Sequence, residues 1–581
     1  MAFSPQPDAG CRLDVGAAVR QSWSCRPLPV SKGSALTAPP SPVARLGLRL
    51  LATSDLHMQI APWDYLTDRP APRRGLAMTA RLIDTARAEV ANSLLLDNGD
   101  FLQGSPLGDW VARQGRGRRH PMVAAMNALR YDAGTLGNHE FSHGLPLLRA
   151  ALAEAAFPVV SANILDADGQ GICPATCILD RLLCDEDGRR HPIRIGVTGF
   201  APPQTMLWES RSTAGHLRSR DILDAARDPI AALRAAGADV IVALAHTGID
   251  PAPPVAGMEN AALPLAALDG IDALVLGHTH LTFPSATQVP PAQGHLHGKP
   301  AVMPGFHGSH LGVIDLSLER HPQGWRVTGH RAHLRSLADL AKDTPAHRAV
   351  LRAVAPTHRA TRSWMASPLG HSNRPLHSHF SLIAPCDALR LVARAQARHV
   401  ATRLQGTPHA DLPLLSAVAP FKAGGRGGPG NYTDIPAGPL CLRHVADLYL
   451  HPNALVALRV TGAELADWLE RAAALFHHVT PGGQDLPLIR DDMPSFDFDL
   501  IDGLRFAIDL SQPARFDARG TQIHPSSRRI IGLTCHGRPV ARRDSFILAT
   551  NSHRAAGGGG FAGTGADRIV LDTGIPVREV L

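Results

Sequence analysis

The chain has 581 residues, is 44% apolar, and carries eight cysteines and a formal net charge of +7. Such a length exceeds one ordinary core and calls for more than one domain, while no apolar run approaches the roughly 18 to 20 residues that span a bilayer, which argues against a helical membrane protein. The positive charge is dispersed, its densest cluster being Arg116-Gly117-Arg118-Arg119-His120, so a nucleic-acid partner is not implied.

Residues 1–47 are rich in Pro, Ser, Ala and Arg, lack periodicity, and read as disordered. No apolar h-region of roughly 7 to 15 residues follows a basic start there, so no secretory signal is recognisable. From Leu48 to about Ala338, strand-like apolar runs alternate with the helical stretches Ala77 to Val90, Met122 to Leu129 and Ile222 to Ala236. That alternation predicts a layered α/β domain over 48–338, closed by strands at Gly312 to Leu318 and Trp325 to His330. Asp339 to Ala366 is helical in character, with Leu340, Val350, Leu351 and Val354 at its apolar positions, and residues 339–370 read as a helical linker. Residues 371–581 read as a second α/β domain, with a helix at Cys386 to Arg403, a strand at Leu455 to Val460 and a helix beginning at Gly462. Cys173, Cys177 and Cys184 lack paired Cys-x-x-Cys units, so a local disulfide or free thiols are expected there in preference to a thiolate metal site.

The informative pattern lies where apolar runs end. Leu48 to Thr53 leads into Asp55-Leu56-His57, Ser93 to Leu96 into Gly99-Asp100, Val240 to Ala245 into His246, and Ile271 to Leu276 into Gly277-His278-Thr279-His280; Gly137-Asn138-His139-Glu140 adds a further motif. Ligands of open α/β sheets collect beyond the carboxyl ends of strands, so loops far apart in sequence can converge on one crevice. Two divalent cations roughly 3.5 to 4 Å apart activate a water and neutralise phosphoryl oxygens, which requires one bridging carboxylate. Asp100 is the natural bridge, because a carboxylate has two oxygens and Gly99 lets the backbone approach closely. Asp55 and His57 then serve one ion, Asn138 and His246 the other, and His278 and His280 divide between them if their loop is extended. Nitrogen and oxygen donors without thiolate suit zinc, manganese, cobalt or iron.

This motif set resembles the calcineurin-like metallophosphoesterases, in the branch that holds 5′-nucleotidases and 2′,3′-cyclic-nucleotide 2′-phosphodiesterases with 3′-nucleotidase activity. In the second half, Phe421-Lys422-Ala423-Gly424-Gly425-Arg426, Tyr432 to Gly438, Ala446 to Asn453, and Phe498 to Gly503 with Gln512-Pro513-Ala514-Arg515 resemble the cyclic-phosphodiesterase subgroup. The resemblance spans about Leu48 to Gly565. It implies a nucleotide-binding second domain, an exported enzyme of the periplasm, and a monomer acting on small nucleotides without nucleic-acid or membrane partners; the missing signal is equally compatible with an enzyme that stays inside. Relatives of this subgroup usually continue beyond the point where Val580-Leu581 ends this chain.

The same resemblance makes His139 the catalytic histidine, which steadies the transition state or protonates the leaving oxygen. In 5′-nucleotidases an Asp three residues later orients that ring. Here the position is Ser142, which favours the cyclic-phosphodiesterase subgroup and leaves the ring to another partner. By motif position Phe496 and His451 fall where relatives place base-stacking rings, with Tyr449 an alternative to His451. Asn453 and Asp502 are candidates for base and ribose, and Arg426 for phosphate. Phe496 has a plainer reading, as a core residue on a strand, since Phe496, Phe498 and Leu500 alternate. The expected activity is opening of 2′,3′-cyclic ribonucleotides followed by removal of the 3′-phosphate; the alternatives are a 5′-nucleotidase or nucleotide-sugar hydrolase, and a non-catalytic nucleotide sensor.

Overall fold

The structure, a computed structural model, describes residues 44–115, 119–285, 293–451 and 453–581, without the side chains of Arg211 and Arg426. The expectation for residues 1–47 therefore falls outside the described residues up to position 43, as do residues 116–118 of the basic cluster and the side chain of Arg426.

Arg45–Thr53 is almost wholly buried beyond its first residues, as a strand covered on both faces should be. It pairs in parallel with Ser93–Asp97 and antiparallel with His310–His321. The resulting six-stranded sheet runs Gly324–Ser336, His310–His321, Arg45–Thr53, Ser93–Asp97, Ala133–Thr135, Val159–Val160. A second sheet runs Thr282–Phe283, Lys299–Pro304, Ala273–Leu276, Val240–Ala245, Arg190–Phe200, Thr176–Cys184, with His295–Leu296 added beside Lys299–Pro304. Leu48, Leu50, Leu94 and Leu96 of the first sheet pack against Val197, Val240, Val242, Leu244 and Val275 of the second. Helices cover the outer faces, Leu76–Ala88 and Pro121–Leu129 on one side and Ile222–Ala235 and Ala262–Ala266 on the other.

The closing strands are longer than their apolar signal. His310–His321 and Gly324–Ser336 extend past Leu318 and His330 in both directions, because their outer halves pair through backbone while presenting Glu319, Arg320, Arg326 and Arg331 on the sheet's far edge. The helix read from Asp339 begins only at Arg348. A short turn, Leu337–Asp339, precedes it, capped by Ser336, and Val350 and Val354 sink into the first core.

The remaining chain forms a five-stranded sheet in the order Leu500–Asp502, Leu414–Val418, Ser545–Asn551, Ala454–Thr461, Ile569–Pro576. Helix Asp387–Leu404 covers one face through Val392 and Val400. Helix Gly462–Ala472 covers the other through Leu465, Trp468 and Leu469; Thr461 and Glu464 close a capping box at its start. The fold is thus two-part α/β, as the alternating patterns predict. The described cysteines are all free thiols, and no described helix is long and apolar enough to cross a membrane.

His120, before helix Pro121–Leu129, is 5% exposed, and among the described residues neither ring nitrogen has a hydrogen-bond partner. Burial, helped by repulsion from His143, pushes it down to about 4. Above about pH 6.5 the ring is neutral folded or unfolded and contributes nothing. As pH falls further only the unfolded chain takes up the proton, so stability drains away between about pH 6.5 and 4, by about 3 kcal/mol in all. Denaturant unfolding of wild type and His120→Phe across that range checks this: the variant should lose less stability, and parallel profiles would show the ring to be neutral for no energetic reason.

Candidate two-metal site

The chain turns out of its strands through residues held in the left-handed region: Asp55 (φ 52°), His57 (48°), Asp100 (57°), His278 (72°) and His280 (59°). Non-glycine residues seldom adopt it, and the cost persists where surrounding structure over-determines the turn. Two loops are also pressed together. A Cβ on Gly99 would lie 2.4 Å from Gly137 N, and one on Gly137 would lie 2.2 Å from Asp100 Oδ1, so neither position has room for a side chain. Glu140, 1% exposed, clamps this contact, its carboxylate accepting the backbone N–H groups of Gly137 (2.6 Å), Asp100 (2.7 Å), Phe101 (2.7 Å) and Leu102 (3.1 Å).

Inside these turns five of the predicted ligands, Asp55, His57, Asp100, His246 and His280, come together. Asp55 and Asp100 are 0% and 1% exposed. Asp55 Oδ1 lies 3.4 Å from His280 Nε2 and 3.8 Å from Nε2 of both His57 and His246. Asp100 Oδ2 lies 3.0 Å from His246 Nε2 and 3.9 Å from His57 Nε2. His57 Nδ1 is 2.8 Å from the Gln103 carbonyl and His246 Nδ1 is 2.7 Å from that of Asn98, so each Nδ1 carries the proton and each Nε2 turns a lone pair inward. His246 Nε2 is buried without a hydrogen-bond partner. Asn138 Oδ1 meets His278 Nδ1 at 3.0 Å, and His278 Nε2 meets Glu259 Oε1 at 2.8 Å, under a stacked Trp208 ring. Two ligand groups emerge, Asp55 with His57 and His280, and Asp55 with Asp100 and His246.

The loop of His278 and His280 is not extended as expected. Both residues are left-handed, and the turn between them, not strand alternation, sends His280 to Asp55 and His278 to Asn138. The electrostatics match a cation site. Burial raises Asp55 against the pull of His246. Burial would raise Asp100 too, but His246, His139 and His57 hold it well below the usual carboxylate range. Against its own burial, His246 is pushed up to about 10 by Asp100 and Asp55. Paired buried carboxylates together with the partnerless His246 Nε2 suit divalent ions.

His139 is tied to this centre by its backbone N–H, which donates to Asp100 Oδ1 at 2.7 Å. Its Nδ1 lies 3.2 Å from Ser142 Oγ, which donates to Glu209 Oε1 at 2.8 Å. Burial pushes His139 down to about 3 against the pull of Asp100, and pushes Glu209 up to about 7 against the Ser142 hydrogen bond. Sequence reasoning missed Glu209, Glu259 and Trp208, which lie in irregular segments without a motif. Glu140 did have a signal, as the last member of Gly-Asn-His-Glu.

On the second domain, Phe496 is 42% exposed while Phe498 is 2% exposed. The reading of Phe496 as a core strand residue is corrected, because Ser495–Asp497 is a short helical turn and the strand begins only at Leu500. Tyr449 is 1% exposed beneath Phe421, which removes it as a stacking ring. His451 stands edge-on to Phe421 at 5.1 Å and is near enough to His139 and His57 for their charges to interact. Asp502 is exposed at a strand end, and Asn453 is half-buried with its carbonyl accepting from Val577. Ion pairs Arg578–Asp109 (2.7 Å), Arg519–Asp250 (2.9 Å) and Arg443–Asp68 (3.0 Å) tie this half to the first.

Fold and site together define a two-metal phosphoesterase with a 5′-nucleotidase-type second half. Residues 48–281 match the calcineurin-like phosphoesterase family and residues 368–565 the 5′-nucleotidase C-terminal domain, a fold that uses two divalent ions. The chain is 40% identical over 562 residues to the 2′,3′-cyclic-nucleotide 2′-phosphodiesterase/3′-nucleotidase of Yersinia enterocolitica, covering 94% of this chain and 86% of that protein. It is 38% identical over 554 residues to the trifunctional nucleotide phosphoesterase protein YfkN of Bacillus subtilis, covering 93% of this chain but spanning only 38% of that longer protein. Its fold is similar to that of a putative 5′-nucleotidase from Staphylococcus aureus, with 21% identity, a TM-score of 0.72, and 92% and 96% of the two chains covered. The chain belongs to the family of 2′,3′-cyclic-nucleotide 2′-phosphodiesterase/3′-nucleotidases.

Glu140→Gln tests the clamp. It turns an amide NH2 against backbone donors, and should cost about 2 to 3 kcal/mol of stability and lower the metal content measured after purification. Unchanged metal content and unfolding midpoint would show that the Asp100 and Asn138 loops hold without it.

Proposed function

We propose that this chain hydrolyses 2′,3′-cyclic ribonucleotides to 3′-nucleotides and then removes the 3′-phosphate to give nucleosides. The observation that carries this reading is the meeting of Asp55, His57, Asp100, His246 and His280 in two ligand groups that share Asp55, beside His139, in a chain 40% identical to a relative with those two activities in its name. Asp55, His57 and His280 would hold one ion and Asn138, His246 and His278 the other, with Asp100 offering a carboxylate oxygen to each. When bound, the ions supply Lewis acidity and an activated water; the nitrogen and oxygen donors suit zinc, manganese, cobalt or iron.

The chain's own groups do the rest. Ser142 occupies His139 Nδ1, which leaves Nε2 to face the phosphoryl group and steady the charge passing to the O2′ leaving atom. Phe496 and His451 stack the base, Asn453 and Asp502 hydrogen-bond base and ribose, and Arg426 holds phosphate. The 3′-nucleotide reorients between the two hydrolyses, and one site serves both. The enzyme acts as a monomer on small nucleotides, without nucleic-acid or membrane partners, consistent with its dispersed charge, and resides in the periplasm as its resemblance implies.

Asp100→Asn should abolish hydrolysis of 2′,3′-cyclic AMP and 3′-AMP alike, because a neutral amide cannot balance two dications. Retention of full metal content with more than about a tenth of the wild-type rate, a loss under roughly 1.4 kcal/mol, would remove Asp100 as the bridge. Including 5′-AMP in the assay separates this reading from a 5′-nucleotidase.

Phe496→Ala should cost roughly 1 to 3 kcal/mol in kcat/KM for 2′,3′-cyclic AMP, the scale of one base-stacking contact. Bis(p-nitrophenyl) phosphate, which needs no nucleoside pocket, should be hydrolysed almost normally. Equal losses on both substrates would point to displaced domains and end the stacking assignment.

A further inference from the structure

From the hydrogen-bond geometry we infer that Glu209, acting through Ser142, positions the His139 ring for phosphoester hydrolysis, doing from a distant segment what a carboxylate beside the histidine would do directly. The inference rests on His139 working at the phosphoryl site. Ser142 donates its hydroxyl proton to Glu209 Oε1 at 2.8 Å. Its oxygen is thereby left as the acceptor for His139 Nδ1–H at 3.2 Å, which selects the Nδ1–H tautomer and frees Nε2. The Glu209 carboxylate itself lies 3.7 Å from Nδ1, on the same side of the ring as Ser142.

Glu209 is held firmly enough to act as an anchor. It ends the turn Thr205–Trp208, whose first hydroxyl donates to the Pro202 carbonyl at 2.7 Å. Gln204 reaches the Gly257 carbonyl at 2.7 Å and Ser219 the Pro203 carbonyl at 2.8 Å, pinning the segment on both sides. The Glu209 carbonyl accepts from the Ser212 and Thr213 backbone N–H groups at 2.9 and 3.1 Å. The preceding residue, Trp208, stacks on His278 at 5.4 Å, so one turn braces His139 and His278 together. A carboxylate only 18% exposed is costly to bury. A specific partner such as the Ser142–His139 pair gives that cost a purpose.

The test uses the full chain with bis(p-nitrophenyl) phosphate, so that nucleotide specificity does not enter. Ser142→Ala and Glu209→Ala should each lower kcat by about ten- to a hundredfold, with KM, metal content and unfolding midpoint unchanged. The double variant should be no slower than the worse single, because both break one relay. Ser142→Asp in the Glu209→Ala background, which brings a carboxylate directly to Nδ1, should restore most of the lost kcat. Multiplicative losses, an effect confined to KM, or no rescue by Ser142→Asp in a folded, metal-loaded protein would overturn the inference. A wild-type chain inert toward phosphoesters would instead overturn the proposed function.

Discussion

Burial of Asp55 and Asp100 is the constraint from which the rest of the site follows. Two carboxylates 0% and 1% exposed carry a desolvation penalty of several kcal/mol each unless positive charge meets them. Nearby histidines cannot meet it alone, and the most enclosed of them, His246, is driven up to about 10 in the attempt. What the protein invests in is orientation. Backbone carbonyls of Gln103 and Asn98 fix two imidazoles, left-handed turns aim the side chains, and Glu140 gathers the amides of the Asp100 loop. Each device adds strain or buried charge that would be pure cost without a cation to hold.

The second half solves a different problem with a related device. Phe496 is 42% exposed on a short turn, where a ring has little to hold it. Its carbonyl accepts from Arg554, which is 3% exposed, paired with Asp499 at 3.0 Å and Asp497 at 3.4 Å, and seated 4.4 Å over Phe561. Here the buried charges are balanced within the protein, so the cluster needs no ion. The segment Asn551 to Arg554, which caps and begins the short helix Ser552–Ala555, therefore supports the Phe496 turn from beneath.

What was legible in the sequence was the part written in periodicity. Apolar runs ending in Asp, His or Asn located the strand ends because a strand buried on both faces has no other way to look, and those ends share one edge of two facing sheets. The conformation of the loops was not legible. Aspartate and histidine visit positive φ more often than most residues, but too seldom for sequence to mark the position, so His278 and His280 read as an extended pair although both are left-handed. The helix at Arg348 was placed too early because Leu340 fits an apolar helical position while lying in the loop between the turn Leu337–Asp339 and the helix. Phe496, Phe498 and Leu500 mimic a strand's alternation, yet only Leu500 is in one.

Partners supplied across the fold were the least legible, and Ser142 shows why. A serine three residues after a histidine announces only that the usual local acid is missing. The acid that answers it, Glu209, is 67 residues away in a segment of short turns whose composition predicts nothing. Its position depends on Gln204 bonding to Gly257 and Ser219 to Pro203, so the orientation of a ring beside the metals is set partly by a stretch with no metal ligand in it. Local motifs record which atoms do chemistry, because those residue types are irreplaceable. The groups that hold those atoms still need only supply an acceptor at the right place, and any segment that packs there can do so.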